Sequence, residues 1–159
     1  MEKPLYLLKM PGQRDFYHNL STESMIDRSK ETEFHEVILP LYLLMQLSAK
    51  AYKKYMVNKI YLHALVIRSS NKKISEHILS KLSLIPEQLQ DDVLQLLNHY
   101  DIWMTQFADF EKNKKPALTD PFIFYHVDDL SAFPASAEQK IFDYYNHLNN
   151  YIKRNKTNE

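Results

Sequence analysis

The side chains in this sequence best suited to acid–base or metal chemistry are seven histidines: His18, His35, His63, His77, His99, His126 and His147. Imidazole changes charge near neutral pH and ligates metals when neutral, so the neighbours of each decide its use. Two histidines follow a carboxylate by four residues, Glu31 before His35 and Asp143 before His147. On a helix that spacing brings both groups to one face, where the carboxylate can orient the imidazole as a base or share a metal with it. A metal site needs a third or fourth ligand, and neither pair has an H-x-x-x-H or Glu-x-x-His companion on its own helix. We therefore expect no metal and no catalytic constellation here. His63 lies in the apolar run IYLHALVI and is expected as a hydrogen-bonded core residue. His99, one turn before Trp103 and close to Asp101, is expected in solvent, with a place at a pocket edge as the alternative.

Nucleophiles are scarcer still. With no cysteine there is no thiolate and no disulfide. Ser69–Lys72 and Ser70–Lys73 both satisfy S-x-x-K, but two fixed positions in four recur by chance and the supporting motifs are absent. Gly12 is the only glycine. That removes phosphate-cradling loops and the strained nucleophile elbow, which need backbone without a Cβ. No cofactor is expected, and the reading leans away from an enzyme.

Twenty Lys and Arg balance twenty Asp and Glu, so no net field draws the chain to nucleic acid or an anionic surface. Locally the charge is uneven. From Lys50 to Lys81 eight basic residues stand against one acid, Glu76, with Tyr52, Tyr55 and Tyr61 interleaved. Lys50, Lys53, Lys54, Tyr55 and Lys59 form a candidate anion-binding set, in which rings stack on bases while lysines follow phosphates. The neutral total weighs against nucleic acid and for a solvated basic face. The start MEKPLYLLKMPGQRD lacks the order of a signal peptide, and the apolar run Val37 to Leu47 is short of the roughly twenty residues that cross a bilayer. A cytoplasmic protein with no membrane partner is expected.

Scarce glycine disfavours tight hairpins, and the apolar periodicity is helical. The spacing predicts a first helix from Ser29–Thr32 to Tyr55, with Pro40 starting or kinking its regular part. A break near Asn58 and Lys59 precedes a second helix, Val57 to Arg68, and a shorter third, Lys73 to Leu82. The fourth, Pro86 to Lys112, repeats Leu89, Val93, Leu96, Tyr100, Trp103 and Phe107 on one face. The fifth begins at Ser136, where Ser136 and Gln139 have capping-box spacing. The expected fold class is mainly α: an irregular antiparallel bundle of four to five helices forming one domain over residues 1–159. Its ends, 1–20 and 153–159, are expected to be loosely ordered. A minor two-stranded β ribbon would pair residues 5–8 with 122–127.

One stretch conflicts with the helical habit. PALTDPFIFYHVDDLSAFPAS, Pro116 to Ser136, is rich in rings yet punctuated by prolines that forbid a continuous helix. So long a structureless connection is uncommon in a compact domain, which predicts a strap folded onto the aromatic end of the fourth helix. Trp103, Phe107, Phe124, Tyr125 and Tyr145 would then enclose a pocket with His126 as its polar handle, or else present an aromatic surface to another chain. The leading expectation is a non-catalytic interaction protein, antitoxin-, immunity- or adaptor-like in category, that self-associates as a homodimer or binds a protein partner. The alternative is a small-molecule-binding domain with its pocket between the 116–136 strap and the fourth helix. A weak nucleic-acid module on the Lys50–Lys81 region comes third.

Overall fold

Pro40 decides the geometry of the first rod. Proline supplies no N–H, and its ring crowds the carbonyl four residues back, so an ordinary α-helix cannot run through it unchanged. The computed structural model describes residues 13–125 and 132–156, and here the helix widens just ahead of the proline. α1 (Gln13–Glu33) passes through a π turn (Phe34–Ile38) into α2 (Leu39–Val57), and the Leu39 N–H reaches the Phe34 carbonyl five residues back. The expected kink is therefore a π turn, and the rod starts well before Ser29. Residues 13–20 and 153–156, expected as loose ends, are helical; the rest of both ends lies outside the described residues.

α3 (Tyr61–Ser80) is one helix where periodicity gave two. The polar stretch SSNK that interrupts its apolar stripe is satisfied in place. Ser70 Oγ donates to the Val66 carbonyl at 3.1 Å, and the buried Asn71 accepts from Ser48 Oγ of α2 at 3.3 Å. α2 and α3 run antiparallel, since Lys81 pairs with Glu36, His77 with Val37, and Asn71 with Ser48. His77 Nε2 donates at 3.0 Å to the Val37 carbonyl, inside the π turn, and so ties that irregular turn to α3.

Two 3₁₀ turns, Leu82–Leu84 and Glu87–Leu89, lead into α4 (Gln90–Lys114); α5 (Ala135–Lys156) closes the bundle. α5 lies antiparallel along α1 through polar contacts, with Tyr144 meeting Glu33 and Lys30, and Tyr151 and Asn155 meeting Asp27. Lys140 reaches the buried Asp92 at the start of α4, 3.0 Å away. One buried cluster, containing Phe34, Leu41, Ile74, Leu96 and Ile141, joins α2 to α5. A second gathers Tyr55, Tyr61, Ile67, Trp103, Phe107 and Phe122 beneath the strap. Each large side chain buried this way contributes roughly 1.5–3 kcal/mol.

The protein is thus a mainly helical bundle, and the expected ribbon is not seen: among the described residues there is no strand, only an isolated antiparallel bridge between Ile60 and Pro121. Residues 5–8, 126 and 127 lie outside the described residues. The strap's backbone has another use. Ile60, the N-cap of α3, offers no side-chain cap, and the Tyr61 and Leu62 N–H groups donate instead to the Asp120 and Leu118 carbonyls at 2.8 and 2.9 Å. Phe122 N–H returns a bond of 2.8 Å to the Lys59 carbonyl. The Ser136–Gln139 capping box is also corrected. α5 starts at Ala135, Glu138 N–H bonds the Pro134 carbonyl, and the Gln139 amide points forward to Asp143. No described helix is long and apolar enough to cross a membrane.

Candidate functional site

The strap carries its own anchor. Phe122 is fully buried against Trp103, Phe107 and Phe110, with ring centroids 5.1–5.6 Å apart. Tyr55 hydroxyl, buried in α2, donates to the Phe122 carbonyl at 2.9 Å and accepts from the Phe124 N–H at 3.3 Å. Gln106 of α4 grips Tyr125 at both main-chain groups, at 2.7 and 3.0 Å. Upstream, α4 ends at Lys115, whose φ of 44° is left-handed; the chain turns there with a lysine in a conformation glycine usually supplies.

Held in this way, the strap roofs a cavity of about 470 Å³. Helical spacing sets its walls: Met45, Ala49, Tyr52 and Met56 from α2, Ile67 and Asn71 from α3, and His99, Tyr100 and Trp103 from α4. Ile123, Phe124 and Phe133 come from the strap, and Glu138 from the first turn of α5. Lys53 and Lys59, both exposed, stand where the cavity meets solvent. The interior is mostly rings. His99 packs edge-on to Phe124 and Phe133, and Trp103 stacks on Phe124.

Burial keeps the site's phenols neutral. The Tyr100 hydroxyl is pushed far above the ordinary tyrosine range, first by burial and then by the charge of Glu138. Tyr55 is raised by burial as well, against the lowering effect of its bond from the Phe124 N–H. Glu138 is raised above the usual carboxylate range by burial.

Of the residues singled out from the sequence, Trp103, Phe124, Lys53, Tyr55 and Lys59 meet at this cavity. Phe107 is in the core with 0% exposure. Tyr145 is elsewhere, stacked on Tyr42 and Phe34. Tyr125 is 68% exposed and contributes main-chain bonds. His126 lies outside the described residues. Tyr55 and Tyr61 are buried, so two of the three rings expected to stack on bases are unavailable. Lys50 and Lys54 are exposed on α2 away from the cavity lining.

The histidine–carboxylate pairs are not formed. Asp143 accepts from Gln139, and Glu31 pairs with Lys156 at 3.9 Å. Among the described residues no three His, Asp or Glu side chains converge to hold a metal. His63 is half-buried and bonds the Asn58 carbonyl across the α2–α3 turn, because Tyr61 and Ala64 take the core side of the first turn of α3. His99, expected in solvent, is buried on the cavity wall. Asn71 and Glu138 are not among the residues the sequence singles out; for Asn71 the signal is its helical register with Ile67, Ile74 and Ile78. Comparison with protein-family models, curated proteins and solved structures finds no match for this chain.

Proposed function

We propose that this chain is a binding protein for a small organic ligand, held in the cavity between α2, α3, α4 and the strap residues Ile123, Phe124 and Phe133. The observation that carries the reading is the cavity itself. Its size, apolar ring walls and few convergent polar groups match what small-molecule sites require. Docking of a protein partner through the aromatic residues has less support, because Trp103, Phe107 and Phe122 are buried in the chain's own core.

The test uses N-phenyl-1-naphthylamine, a neutral fluorescent probe of apolar sites. We expect saturable fluorescence enhancement with quenching of Trp103, the single tryptophan. Ala49→Phe fills the cavity from a half-buried position on α2, leaves the melting temperature unchanged, and abolishes that binding. Equal binding by parent and variant, or none by the parent, overturns the reading.

A further inference from the structure

We infer that the ligand is a small aromatic anion with a second oxygen, its acid group held at the cavity mouth by Lys53 and Lys59 and its far oxygen by the Asn71 amide. This rests on the cavity being a ligand site, and it adds which chemistry the cavity selects.

The argument for charge begins at the mouth. Lys53, in the last turns of α2, and Lys59, in the α2–α3 turn, both line the cavity, and neither side chain makes an ion pair or hydrogen bond among the described residues. Lys50 and Lys54 are also without an ion pair among the described residues, but neither lines the cavity. A lysine lays its apolar stem along a greasy wall and keeps its ammonium at the wet edge, which suits a guest with an acidic head and an apolar body. Among the described residues Glu138 is the one acid in the lining, against the two ammonium groups of Lys53 and Lys59.

The argument for a second oxygen comes from the interior. Asn71 is 3% exposed and lines the cavity. Ser48 Oγ donates to its Oδ1, and no acceptor among the described residues takes the Nδ2 hydrogens. The Nδ2 group therefore opens on the cavity space, where an acceptor oxygen from outside the chain can meet it. The same lining holds Tyr52, Trp103, Phe124 and Phe133, whose rings favour a flat aromatic guest in stacked or edge-on contact.

Three related fluorescent probes separate the parts: 2-naphthol, neutral; 2-naphthoate, which adds the acid; and 6-hydroxy-2-naphthoate, which adds the distal oxygen. We expect 2-naphthoate to bind about fivefold more tightly than 2-naphthol, an advantage that shrinks on raising salt and vanishes in Lys53→Met/Lys59→Met. The distal hydroxyl should add roughly another fivefold in the parent protein, and that gain should disappear in Asn71→Leu. Both lysines are exposed, so the double variant folds, and the hydroxyl comparison on the parent needs no variant. If 2-naphthol binds and the acid confers no advantage, or the advantage survives loss of both lysines, the inference falls while the cavity reading stands. If the hydroxyl adds nothing in the parent, the Asn71 assignment falls. If no probe binds and N-phenyl-1-naphthylamine also fails, the cavity reading itself is overturned.

Discussion

Removing one oxygen atom, in Tyr55→Phe, tests whether the strap is fastened as described. The ring of Tyr55 is buried beside Phe122, so the substitution leaves the apolar packing in place and deletes only the hydroxyl. That hydroxyl makes a 2.9 Å bond to the Phe122 carbonyl and receives a 3.3 Å bond from the Phe124 N–H. A net hydrogen bond contributes about 1 kcal/mol, and a buried carbonyl left without a donor costs about 1–3 kcal/mol, so the expected loss is about 2 kcal/mol. For a chain of 159 residues that is a fall in melting temperature of roughly 4–8 °C. Urea unfolding of parent and variant measures the free energy directly, with the slope unchanged if the denatured state is untouched. Amide exchange supplies the local readout: the Phe124 N–H should lose protection while the Tyr61 and Leu62 N–H groups, held by Asp120 and Leu118, keep theirs. A change below about 0.5 kcal/mol with Phe124 still protected would refute the fastening, because buried partners cannot lose a donor without effect.

Ser75→Ala should go the other way. Ser75 Oγ is buried with no hydrogen-bond partner among the described residues, so its removal relieves a desolvated hydroxyl and installs the best helix former. We expect no change or a gain of up to about 1 kcal/mol in urea unfolding, and a loss of more than that would show an unseen partner. Alkaline pH should weaken the fold. Tyr100, Tyr55 and Tyr144 are all raised, chiefly by burial, so their neutral forms are favoured in the folded chain. Their contribution is full below the unfolded tyrosine pKa of about 10 and is lost as pH rises above it through the folded values. A urea midpoint that stays flat from neutrality to well above that pKa would contradict the burial of these phenols.

What could be read from the string follows from how each element is stabilised. α4 and the second half of the first rod were legible because they bury periodic apolar faces, Leu96, Tyr100, Trp103 and Phe107 in one case, Val37, Leu41 and Met45 in the other. α1 was not, because it docks on α5 through Asp27, Lys30 and Glu33 meeting Tyr151, Asn155 and Tyr144, and polar pairing between helices leaves no apolar period. α3 was split in two because Asn71 reads as a break when its partner Ser48, across the hairpin, is unknown. The strap's docking was predictable from its rings, but Phe107 and Tyr145 could not be sorted from Trp103. Phe107 and Trp103 share the second core cluster but only Trp103 also lines the cavity, while Tyr145 stacks on Tyr42 of α2, distinctions set by helix rotation and not by composition.

The strap also shows why the site takes the form it does. A segment with prolines at Pro116, Pro121 and Pro134 cannot dock as a helix, and a strand needs a neighbour that this bundle does not offer among its described residues. Its backbone is fixed by other means: the open end of α3 above Tyr61 and Leu62, the Tyr55 hydroxyl, and the side-chain amide of Gln106. Among its described rings only Phe122 is fully buried as an anchor. Because main-chain bonds do the holding, Ile123 and Phe124 need not be fully buried and line the cavity, Phe124 against Trp103 and His99. A helix in the same place would have had to bury a continuous stripe against α2 and α4 to stay there, and that stripe would have filled the space a ligand needs.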